Sequence, residues 1–266
     1  MEVVAMPAIR APAVAGTFYP DDSKLLKKML GDFLAAAHCD GPPPKAIIAP
    51  HAGYIYSGAI AASAYSQVAN GKDRISRVIL LGPSHRVPFH GMATTTAQRF
   101  STPLGEVAVD GASLEAISHL PQVQILDQAH QWEHSLEVQL PFLQLVLLDF
   151  KLVPLVVGDA SADEVGEVLD ILWGGDETLI VVSSDLSHYH DYDTACRLDR
   201  RTSEAITHFR PHDIHYEDAC GRNPILGLLA AARHHGLQAE MLDLRNSGDT
   251  AGPRDQVVGY GAYIFH

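Results

Sequence analysis

The chain has 266 residues, of which 47% are hydrophobic and 19% are charged, a composition typical of a folded globular protein. Its formal net charge of −13 argues against binding to nucleic acid or to an anionic membrane surface, because both require clustered Lys and Arg. Its three cysteines are too few for a disulfide framework. Because the N-terminus also lacks a basic region followed by an apolar stretch, we expect a cytoplasmic protein without a signal peptide.

Short, nearly continuous apolar runs alternate with helical patterns along the chain. Such runs are typical of parallel strands that helices cover on both faces. The alternation predicts an α/β fold, with a single domain over residues 1–266 and a mostly parallel central sheet flanked by helices. In chain order, the predicted elements are a helix at 22–37, a strand at 46–49, a helix at 59–68, a strand at 78–81, a helix at 135–147, a strand at 152–157, a helix at 162–172, a strand at 179–182, helices at 194–209 and 223–236, and strands at 239–244 and 257–265.

Three residues within these elements make further structural predictions. Pro154 lies inside the apolar run 152–157, and this position indicates an edge strand or a bulged strand. Pro141 should kink the helix at 135–147 or end its first half. Asn223, followed by a proline, is the expected N-cap of the helix that begins there.

A histidine follows three of the predicted strands. His51 comes after 46–49, His85 after 78–81, and His188 after 179–182, with Asp185 in the same loop. Ligands of open α/β sheets bind outside the carboxyl ends of the strands, so adjacent strands would deliver these side chains to one crevice. Neutral imidazoles and an anionic group suit a divalent transition metal. A single such histidine is more often a polar loop residue, and the threefold recurrence is what favours a metal site.

Cys220 precedes the predicted helix that starts at Asn223. The positive end of the helix dipole and the charge of Arg222 should lower the thiol pKa and favour the thiolate, which binds metals or attacks electrophiles. The alternative is a small buried hydrophobic residue, which fits Cys39 and Cys196 better. Cys220 is therefore predicted to be the only reactive thiol.

Glu133 and His134 come just before the predicted helix at 135–147. They are candidates for acid–base groups or for partners that orient a metal ligand. The alternative is an acidic helix start that only complements the helix dipole.

Six motifs occur in order along nearly the whole chain. They are Ala-Gly-Thr-Phe-Tyr-Pro at 15–20, Ala-Pro-His-Ala-Gly-Tyr at 49–54, Leu-Gly-Pro-Ser-His at 81–85, Glu-His-Ser at 133–135 with Leu-Pro at 140–141, Ser-Ser-Asp at 183–185 with His188, and Cys-Gly-Arg-Asn-Pro at 220–224. Together they resemble the Memo family, also called the AmmeMemoRadiSam system protein B family.

The resemblance implies a fold like that of the class III extradiol ring-cleaving dioxygenases, which hold non-haem Fe(II) with two histidines and one carboxylate. The site of Memo proteins is similar to that metal site but has a cysteine in place of the carboxylate. Applied to the matching motifs of this sequence, the resemblance implies His51, His85 and Cys220 as metal ligands. It also implies that Asp185 and His188 line the pocket. The implied metal is Fe(II), with Cu and Zn as alternatives. The resemblance also implies a radical-SAM protein and an AMME-type domain protein as pathway partners.

The sequence leaves three functions open. The first is a dioxygenase-like, metal-dependent redox enzyme with an unknown small-molecule substrate, in which proton-handling groups surround the metal. The second is a non-catalytic module that binds a peptide or small ligand in the same pocket. The third is a zinc-dependent hydrolase. The candidate catalytic residues are His188, Asp185, His134 and Glu133.

Overall fold

The computed structural model describes residues 8–266, which form one large mixed β-sheet with helices packed against it. The strands are β1 (Ile9–Arg10), β2 (Ala46–Ala49), β3 (Arg77–Pro83), β4 (Met92–Thr94), β5 (Arg99–Thr102), β6 (Gly105–Val109), β7 (Val123–Ile125), β8 (Lys151–Val157), β9 (Thr178–Ser183), β10 (His188–His190), β11 (Ala239–Asn246) and β12 (Val257–Phe265). The α-helices are α1 (Ser23–Ala36), α2 (Tyr54–Val68), α3 (Gly111–Ile117), α4 (Asp127–Gln131), α5 (Leu140–Val146), α6 (Ala162–Leu172), α7 (Tyr192–Thr207) and α8 (Arg222–His234).

The centre of the sheet is parallel. The strand order is β1-β5-β6-β8-β3-β9-β2-β12-β10, with β11 paired to β12, and β4 to both β7 and β8. The pairs β6–β8, β8–β3, β3–β9 and β9–β2 are parallel, whereas β12 runs antiparallel to β2. The predicted α/β fold class is therefore confirmed. Strand β9 lies between β3 and β2, so the three strands that precede the candidate histidines are neighbours.

Alternate residues of the central strands pack into two hydrophobic clusters, one on each face of the sheet. Val78 and Leu80 of β3 belong to the cluster that includes α1, α2 and α5. Ile79 and Leu81 belong to the cluster that includes α6 and α8. A strand that is buried on both faces must be apolar at every position, and this requirement explains the continuous apolar runs in the sequence.

Pro154 lies neither in an edge strand nor at a bulge, so that prediction is wrong. Strand β8 pairs with β3 along its whole length, including the Leu80–Pro154 pair. On its other side β8 meets β6 only at Lys151 and Leu152, and β4 only at Val156 and Val157. Pro154 falls in the gap between these two partners, where no neighbouring strand needs its missing N–H.

The predicted helix at 135–147 is divided into two pieces. A 3₁₀ turn covers Glu137–Gln139, and Pro141 occupies the first turn of the following helix α5. Proline is tolerated there because the first N–H groups of a helix have no intrahelical acceptor. Glu133 and His134 consequently lie in a loop, which leaves their side chains free to reach the ends of the neighbouring strands.

Candidate metal centre

The carboxyl ends of β2, β3 and β9 open onto a cavity of about 990 Å³. The loops that follow these three strands and the start of α8 form its walls, as expected for a ligand site of an open α/β sheet. Six of the seven residues singled out in the sequence line the cavity: His51, His85, His134, Asp185, His188 and Cys220. The seventh, Glu133, lies behind His85 and is almost completely buried.

Three imidazole rings in the cavity lie close enough together to hold one metal ion. The ring centroids of His51 and His85 are 5.2 Å apart, those of His51 and His134 are 5.5 Å apart, and those of His85 and His134 are 4.6 Å apart. One ring nitrogen of each residue lies within 4.8 Å of the others. His134, expected to handle protons, is therefore also close enough to compete for a metal.

The hydrogen bonds around His51 determine which ring nitrogen carries the proton. Its Nδ1 lies 2.8 Å from Ser183 Oγ. The Ser183 hydroxyl donates to the Ser135 carbonyl at 2.6 Å and accepts from Gln139 Nε2 at 2.7 Å. Because the hydroxyl proton is already used, His51 Nδ1 must donate, and His51 Nε2 keeps a free lone pair. Burial lowers the pKa of His51 well below its usual value, so the ring is neutral and suited to bind a metal.

His85 has the same arrangement, with Glu133 as its acceptor. Glu133 Oε1 lies 2.8 Å from His85 Nδ1, and Oε2 accepts from His85 N at 2.6 Å. Burial alone would raise the pKa of Glu133, but hydrogen bonds and charge from His85 outweigh burial and lower the pKa to about 2. The ionised carboxylate therefore holds a proton on His85 Nδ1 and leaves Nε2 free. Of the two roles open to Glu133, the geometry favours orienting His85 over acid–base catalysis.

Cys220 lies beside His51, with its Sγ 3.4 Å from His51 Nε2. The thiol reaches this position because Gly221 packs directly against β9. A Cβ atom on Gly221 would lie 2.5 Å from Ser184 Cβ, and Gly221 N donates to Ser184 Oγ at 2.9 Å. A larger residue at 221 would push the start of α8, and the thiol with it, away from the strand ends.

The predicted low pKa of the Cys220 thiol is wrong for this geometry. Burial raises the thiol pKa, and the nearby Asp185 carboxyl raises it further. Arg222, the expected cationic partner, instead donates its Nε to the Ile214 carbonyl. The N-cap of α8 is Gly221, not Asn223, whose side chain donates to the Gly158 carbonyl. The thiolate would therefore need a cation in the cavity to stabilise it.

Asp185 connects the loops that carry His51 and Cys220. Its Oδ1 accepts from His51 N at 2.8 Å, and its own N–H donates to Cys220 Sγ at 3.3 Å. Burial raises the pKa of Asp185, although the charge of His188 and the bond from His51 N oppose the increase. A carboxyl group with a raised pKa is suited to exchange a proton with a ligand in the cavity.

Aromatic residues form much of the cavity wall, and most of them lie outside the sequence motifs. Tyr189 is 71% exposed at the cavity and has φ of 62°, a left-handed conformation that is strained for a residue with a Cβ. It lies in the short strand β10, where the pairing with β12 is irregular. The other aromatic wall residues are Phe18, Tyr56, Tyr216 and Tyr260. Of these, only Phe18 lies in a sequence motif, at 15–20.

No helix within residues 8–266 is long and apolar enough to cross a membrane.

An Escherichia coli K12 protein of known crystal structure, the uncharacterized protein JW3007, has a similar fold. The two structures align with a TM-score of 0.51 over 82% of this chain and 98% of that one, at 14% sequence identity. At this identity the likeness concerns the fold alone.

Sequence comparison identifies much closer relatives. A "MEMO1 family protein" of Aquifex aeolicus is 35% identical, over 97% of this chain and 99% of its own. The "MEMO1 family protein MK0963" of Methanopyrus kandleri and a "MEMO1 family protein" of Nitrosopumilus maritimus are 36% and 33% identical, again over nearly their full lengths. The family model described as "Memo-like protein" matches residues 10–264. The chain therefore belongs to the Memo family.

Proposed function

We propose that this protein is a metal-dependent redox enzyme of the dioxygenase type, which acts on a small molecule in the cavity. It would hold a first-row transition metal, preferably Fe(II), with His51, His85 and Cys220. The observation that carries the proposal is the pair of hydrogen bonds from His51 Nδ1 to Ser183 and from His85 Nδ1 to Glu133. Histidines that ligate metals almost always donate their second nitrogen in this way.

The separation between His51 and Cys220 supports the inclusion of the thiol. Bond lengths of roughly 2.0 Å to nitrogen and 2.3 Å to sulfur, at a tetrahedral angle, separate the two ligand atoms by about 3.5 Å. Cys220 Sγ lies 3.4 Å from His51 Nε2. A cation between them would also offset the unfavourable burial of the thiolate. In such a site a bound metal supplies open coordination positions and redox chemistry.

Three further polar residues of the cavity would bind the substrate or transfer protons. His134 stacks on His85 at a centroid distance of 4.6 Å, so it is placed to accept or donate a proton at a ligand near the metal. His188 and Asp185 line the same cavity and would bind the substrate and transfer protons. The substrate is expected to contact the aromatic wall around Tyr189 and Tyr216.

Metal content and oxygen uptake, measured on one set of purified variants, test the proposal. Cys220→Ser should lose the metal and the activity together, because an alcohol is a poor ligand at neutral pH. His134→Ala should keep the metal and lose about 10²- to 10⁴-fold in turnover, the usual effect of removing a proton-transfer group. Cys196→Ser is the matched control, because Cys196 contacts Asn246 rather than the cavity histidines.

Three results would contradict parts of the proposal. Loss of metal in His134→Ala, with full retention in Cys220→Ser, would mean that a third histidine binds the metal instead of the thiol. Full metal retention in the double variant His51→Ala/Cys220→Ser would place the metal elsewhere. A metal-loaded protein that consumes no oxygen with any of a panel of catechols would favour a ligand-binding module over a dioxygenase.

A further inference from the structure

A second group of metal-ligand side chains lies at the end of α8 that is far from Cys220. His234 ends α8, His235 follows it, and Asp170 belongs to the last turn of α6. Asp170 Oδ2 lies 3.1 Å from His234 Nδ1, and Asp170 Oδ1 lies 2.9 Å from His235 Nε2. The 13 residues of α8 extend roughly 20 Å, so this group is separate from the cavity at its start.

We infer that Asp170, His234 and His235 form a second, surface-exposed cation site for Zn²⁺, Ni²⁺ or Cu²⁺. One ligand atom of each residue lies within 4.8 Å of the other two. Imidazole nitrogen suits these three cations better than it suits Mg²⁺ or Ca²⁺, and the carboxylate adds the negative charge that a divalent ion requires. Solvent can fill the remaining coordination positions, because all three residues are accessible.

The position of His235 is fixed before any ion binds. Its ring stacks on Trp173 at a centroid distance of 3.8 Å and an interplanar angle of 7°. Trp173 in turn is held by Lys45, whose Nζ donates to the Trp173 carbonyl at 2.6 Å and to the Gly175 carbonyl at 2.8 Å. A ligand that is already ordered loses little conformational entropy on binding, which favours the bound state.

The backbone around the three residues also favours a cation. Helices α6 and α8 end at Leu172 and His234, so the negative ends of two helix dipoles meet at this point. The last turn of α6 contains no basic residue of its own, but Lys45 donates to the Trp173 carbonyl at its end, and the last turn of α8 contains Arg233. A cation bound here would join the ends of two helices from different parts of the chain and thereby stabilise their packing.

The tryptophan beside the site provides a local probe. The chain has two tryptophans, so Trp132→Phe leaves Trp173 as the only indole emitter. Titration with Cu²⁺, which quenches nearby indole fluorescence, should give saturable quenching that excess Zn²⁺ reverses. In the Trp132→Phe background, His234→Ala and Asp170→Asn should each weaken this binding about tenfold or more. His234 does not stack on Trp173, so its replacement leaves the probe in place.

Two controls separate this site from others. His119→Ala removes another exposed histidine and should leave the quenching curve unchanged. The double variant His51→Ala/His85→Ala should also leave it unchanged, whether or not the cavity binds metal. Three outcomes would overturn the inference. Quenching could be lost only in the cavity variant, it could persist unaltered in both Asp170→Asn and His234→Ala, or it could fail to saturate.

Discussion

Glu133 provides a test of how the site is held together, because it contacts His85 without lining the cavity. Its carboxylate accepts bonds from His85 N, His85 Nδ1, His134 N and Ser135 N, all between 2.6 and 2.9 Å. Burial alone would raise its pKa, but the hydrogen bonds and charge from His85 and the bond from Ser135 N lower it from 4.5 to about 2. At 1.36 kcal/mol per pKa unit, the shift corresponds to about 3 kcal/mol of folding stability. Glu133→Gln should therefore lower the Tm by roughly 6–12 °C at pH 7.

The pH dependence of this stabilisation has a definite sign. Because the pKa of Glu133 is lower in the folded state, the stabilisation is complete above pH 4.5 and declines as the pH falls toward 2. About 2 kcal/mol of it should be lost by pH 3. The difference in unfolding free energy between the wild type and Glu133→Gln should therefore shrink by that amount between pH 7 and pH 3, as measured by denaturant titration.

Glu137→Gln is the matched control for the effect on the proposed metal centre. Glu137 is also completely buried and accepts several hydrogen bonds, from Arg10, Tyr19 and the backbone of Val14 among others, but none from a cavity imidazole. Both variants should lose stability, whereas only Glu133→Gln should weaken metal affinity, by about 10- to 100-fold. Equal metal affinities in the two variants, measured by chelator competition, would refute the orienting role of Glu133.

Two further predictions concern packing and pH. Gly227→Ala should lower the free energy of unfolding by about 1–3 kcal/mol, because the new Cβ would lie 2.2 Å from Val165 Cγ1. Gly31→Ala, in open space on α1, should instead raise it by about 0.5–1 kcal/mol in the same denaturation assay. Burial raises the pKa of Asp199 from 3.8 to about 6. The free energy of unfolding of the wild type should therefore fall by about 3 kcal/mol relative to that of Asp199→Asn as the pH rises from 3 to 7. A constant difference between these two proteins over that range would contradict the assigned burial effect.

The central sheet was predictable because its signals are local. A parallel strand covered on both faces must be apolar at every position, and the runs at 46–49, 78–81 and 179–182 meet that condition. The histidines were predictable for a related reason, since loops at the carboxyl ends of adjacent strands open onto the same edge. The short strands β4 to β7 were missed for two reasons. Strand β4 pairs only with β7 and β8, which lie far from it in the chain, whereas β5 and β6 form a local hairpin of strands with only four and five residues.

By itself, the sequence determined the fold class and the loops that supply the site. The partners of each side chain came only from the tertiary structure, because they lie far apart in the chain. Ser183 is 132 residues from His51, and Glu133 is 48 residues from His85. The thiol of Cys220 shows the limit of local reasoning. The helix start predicted a lowered pKa, but burial beside Asp185 raises it, because desolvation depends on everything packed around the sulfur.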